Sequence, residues 1–297
     1  MTTHIDWNPA GDSLNRLYDE LTDASDNWPT PKPDNAFSTD EQRRLARTHW
    51  CRRIGATYVT VARANALSQS LIALGAPVDI IAGASYASDE LTHHLAMLVH
   101  LVRPLQPRCA PTISRSQLVQ PAEVPSWSDV FARTVDLYLF NLQLSAPTYE
   151  AISAVSSDPA IRRLAAMLAA SIESLVDFGS DTLDWISDQL PPAAPEALTA
   201  HLPERFSAYE TLCCGNPELL DALAGEEFTL EMVPGNLGTL RANQIAVAFY
   251  DTLSTAILPK IEQLGCHAAE AWQRHYHAGA DCSPTAVVAS VAATPTG

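Results

Sequence analysis

Apolar positions recur three and four residues apart along four long stretches of this chain, the period of an amphipathic helix. The first runs from Asp40 through RRLARTHWCRRIGATYVTVARANALSQSLIALG. Thr39 or Asp40 is placed to cap it, and Gly75 with Pro77 stops it. The pattern predicts a second helix from Val78 to Val102, ending before Pro104, and a third from Ser128 to Ser156 with Pro147 as a kink. Asp158-Pro159 reads as the cap and first residue of a fourth helix that reaches Ile186. A last long helix is predicted from Thr239 to Leu264, with Pro259 late in it.

The connections differ in kind. Residues 1–41 read as an N-terminal arm, with a short amphipathic helix at Ser13–Thr22 followed by the proline-stiffened linker NWPTPKPDN. Residues 103–125, rich in proline, serine and threonine, read as a long crossover. LPPAAPEALTAHLPER reads as a break, followed by short helices at Glu204–Leu212 and Pro217–Leu223. GEEFTLEMVPGNLG is irregular, with room for a short strand, and CHAAEAWQRHY reads as a short helical ending. Residues 278–297 have the composition of a disordered tail.

Two helices, a long loop and two more helices, each of roughly 25–30 residues and so about 37–45 Å long, give the signature of a four-helix bundle with one long crossover. The fold expected is therefore all-α. The arm would cover residues 1–41, the bundle 42–188, a C-terminal helical extension packed on it 189–277, and the tail 278–297.

Charge and composition narrow the function classes. With 18 Lys and Arg against 34 Asp and Glu, the formal net charge of −16 disfavours nucleic acid and anionic membrane surfaces as partners. An apolar share of 47% suits a full core, and 21 prolines against 12 glycines suit stiff connections. The opening MTTHIDWNPAGDSLNR has neither a basic nor an apolar signal region, and no apolar run is long enough for a membrane span. The six cysteines form no CxxC or zinc-ligand spacing. Reduced thiols in a cytoplasmic protein are the expectation.

Candidate chemistry centres on the second helix, where Glu90 and His93 are three apart and share a face. Bundle dimetal sites use one Glu from each of two helices and a Glu-x-x-His from each of the other two. Two divalent cations in a dry core need about four carboxylates to balance them.

Several stretches carry a family resemblance. They are Trp50 through Gly75-Ala76-Pro77, Asp89-Glu90 with His93-His94, Ser145-Ala146-Pro147 followed by Asp158-Pro159, and Phe178-Gly179. The helix LRANQIAVAFYDTLSTAILPKIEQLG, with Trp272 beyond it, completes them. In these the chain resembles a bacterial group of the ferritin-like superfamily over about residues 42–275. The resemblance implies a ferritin-like four-helix bundle with a dimetal centre. It also implies where the ligands should stand. A Glu expected on the first helix is Thr57, and one expected on the third is Leu142. The Glu-x-x-His expected on the fourth helix is Ile172 and Leu175. Only Glu90 and His93 remain of the six. Glu173, Asp177, Asn141 and Glu150 stand near these positions but off the expected inward face.

No metal cofactor is therefore expected, with Glu90 and His93 as residual ligands, and with His94 or His100 as added donors for a single metal. The helix-2 stripe Gly83, Tyr86, Glu90, His93, Met97 and His100 would face Arg53, Thr57, Thr60 and Ala64. Tyr138, Leu142, Ile172 and Leu175 would complete an apolar pocket. One outcome is a structural polar network in which Glu90 bonds His93, Thr57 or Arg53. Another is a repurposed pocket for an apolar small molecule, in which a desolvated Glu90 with a raised pKa and His93 exchange protons. Three functions stay open: a binding or accessory protein without a working dimetal centre, a metal-dependent (di-iron or single-metal) oxidase or oxygenase, and a metal-free enzyme using Glu90 and His93. A homodimer is compatible with a bundle of this kind. Cys213-Cys214 reads as a buried pair of small hydrophobes, and His275-Tyr276-His277 as an adventitious metal binder.

Overall fold

The computed structural model describes residues 2–4, 38–105, 112–114, 118, 125–215 and 229–275. The predicted helices at 13–22 and 217–223, the proline-rich linker and the tail at 278–297 lie outside these. The described residues are all-α apart from one short antiparallel ladder. That ladder pairs β1 (Thr2–His4) with β2 (Thr112–Ser114), with Thr3 opposite Ile113. None of the helices in the described residues is long and apolar enough to cross a membrane.

The helices begin where local chemistry satisfies their first amides. α1 (Asp40–Ala73) opens on a reciprocal capping box. Gln42 N donates to Thr39 Oγ1 (3.2 Å), and Thr39 N donates to Gln42 Oε1 (2.8 Å). α1 ends at Gly75, whose φ of 71° is the left-handed conformation that only glycine adopts without strain. α2 (Val78–Leu105) follows at once and packs against α1 as a hairpin. α3 (Trp127–Thr134) starts on a second box between Ser126 and Asp129. α4 (Gln143–Val155) continues from α3 through a π-helical segment, Val135–Leu142. α5 (Pro159–Ser187) is capped by Asp158 Oδ1, which accepts from Ile161 N at 2.9 Å.

One prediction fails clearly. The proline-rich stretch expected to be a break is mostly helix, α6 (Ala194–Cys214). Pro195 sits in the first turn, where its missing N–H costs nothing. Pro203 lies inside the helix, where it costs about 3 kcal/mol. Burial of Leu198, Leu202 and Phe206 on one face offsets that. The segment 229–241 holds no strand among its described residues. The last long helix is present as α7 (Ala242–Thr252), a π segment (Leu253–Ile257) and α8 (Leu258–Gln263). The short ending is α9 (Ala268–His275). Each π segment lies just ahead of an in-helix proline, Pro147 or Pro259. A widened turn relieves the clash between a proline ring and the carbonyl four residues back.

The chain divides into two compact units. The first comprises Met1–Pro125, Ile152–Ser171 and Met232–Thr239. Its centre is Trp50, fully buried, whose indole N–H donates to the Leu237 carbonyl at 2.8 Å. Gly238 (φ 84°) lies against that ring, and a Cβ there would stand 2.6 Å from it. The second unit comprises Ser126–Ala151, Ile172–Glu231 and Leu240–Gly297. Here Tyr138 packs edge-on against Phe178 with centroids 5.8 Å apart, and Trp127 against Trp185 at 5.3 Å. Gly179 is needed for this contact: a Cβ would fall 2.1 Å from the Tyr138 ring.

Candidate functional site

The buried stripe of α2 is Ile80, Ala84, Ala87, Leu91, His94, Leu98 and Leu101. It lies one position, about 100° around the helix, from the stripe read in the sequence. Several predicted site residues move with it. Tyr86 is 60% exposed rather than lining a pocket. His93 is partly exposed, with Nδ1 3.8 Å from Asp89 Oδ2. His94, one residue on, is the buried histidine, and Glu90 sits at the boundary with a side chain 14% exposed.

Glu90 therefore pairs with His94 and with Ser171 of α5, not with His93, Thr57 or Arg53. Ser171 Oγ donates to Glu90 Oε1 at 2.7 Å, and His94 Nε2 lies 2.9 Å from Ser171 Oγ. His94 Nε2 is itself 3.8 Å from Glu90 Oε1, an electrostatic approach rather than a hydrogen bond. The proton count follows. A carboxylate only accepts and the serine has one proton, which goes to Glu90. His94 Nε2 must then carry a proton and donate to Ser171 Oγ.

The electrostatics contradict the expected raised pKa of Glu90. The neighbouring His94 imidazole, foremost, and the Ser171 hydroxyl hold its carboxyl below the usual range, against burial. Burial in turn pushes His94 below the usual imidazole value, opposed by Glu90. An ionised carboxylate and a neutral imidazole joined through a serine form a satisfied polar network. They do not form a poised acid–base pair.

The other predicted residues are placed as follows. Arg53 Nε donates to His49 Nε2 at 2.9 Å, and burial, with Arg53 and Arg52, drives His49 well below its usual value. Thr57 and His100 are partly buried, and Met97 is buried. These belong to the first unit, with Tyr86, Glu90 and His93. Tyr138, Leu142, Ile172 and Leu175 belong to the second, where all four are at most 2% exposed. Glu173 points out on the same helix and meets Glu150, whose carboxyl is pushed up by burial and by Glu173. The inward phase of α5 is thus the one that buries Ile172 and Leu175.

No family model, curated protein or solved structure matches the chain.

Among the described residues, no group of three or more His, Cys, Asp or Glu side chains is arranged to hold a metal ion. The donor set also does not fit a dimetal centre. Beyond Glu90 and His93, three of the expected ligand positions carry buried aliphatic side chains, and the fourth carries Thr57. Aliphatic groups offer no lone pair, and one carboxylate cannot balance two divalent cations.

Sequence reasoning missed a second buried polar group in the second unit. Glu210 of α6, 2% exposed, accepts from the Tyr250 hydroxyl and faces His275 Nε2 at 3.2 Å. A signal was available: Glu210 continues the buried row Leu198, Leu202, Phe206 at a spacing of four.

Proposed function

We propose that this chain is a ferritin-like helical protein in which apolar packing has replaced the dimetal centre, and that it serves as a non-redox binding or accessory protein. The observation that carries this reading is the burial of Leu142, Ile172 and Leu175. They stand at positions where the resemblance calls for Glu, Glu and His. Each contributes about 1.5–3 kcal/mol by leaving water, a gain that a liganded site would forgo. The order of the four long helices, with the crossover between the second and third, supports the ferritin-like connection.

Glu90, the residual carboxylate, is engaged by Ser171 and His94. That engagement also weighs against the metal-free acid–base reading, because Glu90 is held ionised rather than poised near neutrality.

The test is oxygen chemistry. Full-length protein loaded anaerobically with Fe(II) and then exposed to air should oxidise iron at the buffer rate, with no change in Glu90→Ala. Saturable Fe(II) oxidation that Glu90→Ala abolishes would replace this reading with that of an iron-dependent oxidase.

A further inference from the structure

The Glu210 group ties together three helices of the second unit: α6 through Glu210, α7 through Tyr250 and α9 through His275. The side chains of His275 and Glu210 are 1% and 2% exposed. Tyr250 donates its hydroxyl proton to Glu210 Oε1. His275 Nδ1 lies against the Trp272 carbonyl, and its ring packs 3.7 Å from the Trp272 ring. Cys214, four residues after Glu210, has its thiol pushed up by burial and by the charges of Cys213 and Glu210.

These contacts fix the protons. A carbonyl only accepts, so Nδ1 of His275 carries hydrogen and donates to Trp272. Glu210 Oε1 is occupied as an acceptor. Between Nε2 and Oε2, 3.2 Å apart, there is either one proton or two opposed lone pairs. Two lone pairs at that separation, out of water, would repel.

We infer that Glu210, Tyr250 and His275 form a proton-sharing clasp that helps hold α9 on α6 and α7. The shared proton makes the Glu210–His275 pair neutral overall. That lets a carboxylate and an imidazole lie together in an apolar setting made by Phe206, Tyr250 and Trp272. α9 docks through the buried Trp272, Ala268 and Ala271 together with the clasp.

The inference is independent of the metal question, and its test separates a clasp from mere packing. Amide hydrogen exchange is read across residues 268–275 in the full chain, with α1 and α2 as internal reference. His275→Ala removes the imidazole from Glu210 Oε2, and exchange in α9 should rise about tenfold or more. Glu210→Gln should stay near wild type, because the amide carbonyl accepts from Tyr250 and its NH2 donates to His275 Nε2. Should His275→Ala fail to fold, Tyr250→Phe removes one arm and should raise exchange several-fold. Nitrogen-15 spectra of labelled histidine should show Nδ1 of His275 protonated. Unchanged α9 exchange in His275→Ala, or in Tyr250→Phe where that variant must stand in, would overturn the clasp. So would loss of α9 protection in Glu210→Gln, or a bare Nδ1.

Discussion

Acidification below the ordinary imidazole range should weaken the first unit in part through His94. In the folded chain, burial holds the His94 imidazole below its usual value. In the unfolded chain it titrates near about 6.5. As pH falls through that value, the unfolded state takes up a proton that the folded state refuses. Stability then falls, by at most about 1.4 kcal/mol per pH unit. His49, also held low, adds to the same slope, so the informative quantity is a difference. His94→Gln keeps a donor for Ser171 but has no proton to gain. Urea unfolding followed by far-ultraviolet circular dichroism at half-unit pH steps gives the two curves. They should run together above pH 7 and separate below 6.5, with the wild type falling faster. Glu90 does not confuse the window. Its lowered folded value means its contribution is present above the ordinary carboxylate range and is lost only as pH falls through that lower value. Parallel curves from pH 7 to 5 would refute the assignment of a buried neutral His94.

Other outcomes follow from the packing. Leu142→Ala and Ile172→Ala should each cost about 2–5 kcal/mol by denaturant unfolding if these side chains are core, whereas losses under about 1 kcal/mol would mean they line open space. Gly179→Ala must displace the Tyr138 ring, which stands 2.1 Å from the added Cβ, and should lower stability by about 1–3 kcal/mol or more. An unchanged midpoint would contradict the contact. Trp50→Phe removes the indole donor to Leu237 and should cost about 1–3 kcal/mol, with faster amide exchange at residues 236–239. Wild-type exchange there would mean the bond does not anchor that loop. Glu150→Gln relieves the carboxylate contact with Glu173 and should leave stability level or slightly raised at pH 7. A clear loss would show a stabilising role for that pair.

Much of the helical frame was readable because its signals are local. Thr39, the Gly75–Pro77 stop and Asp158-Pro159 each act within a few residues of the helix end they set. The π segments and α6 were not readable for the opposite reason. Pro203 argues against a helix by propensity, and only the burial of Leu202 and Phe206 on other parts of the second unit overrides it. The choice between His93 and His94 is of the same kind. Both lie one turn from Glu90, and periodicity tolerates either phase. What decides is Ser171, far along the chain, which accepts from His94 and donates to Glu90. The phase of α5 was legible, since placing Ile172 and Leu175 inward leaves Glu173 outward by simple amphipathicity.

If aliphatic side chains have taken the place of metal ligands, the protein should be purified nearly free of metal. Metal content decides it, measured by inductively coupled plasma mass spectrometry on full-length protein purified without chelator from iron- and manganese-supplemented cells. The expected content is far less than one transition-metal ion per chain, unchanged in Glu90→Ala. A stoichiometry of about two per chain, falling when Glu90 is replaced, would contradict it.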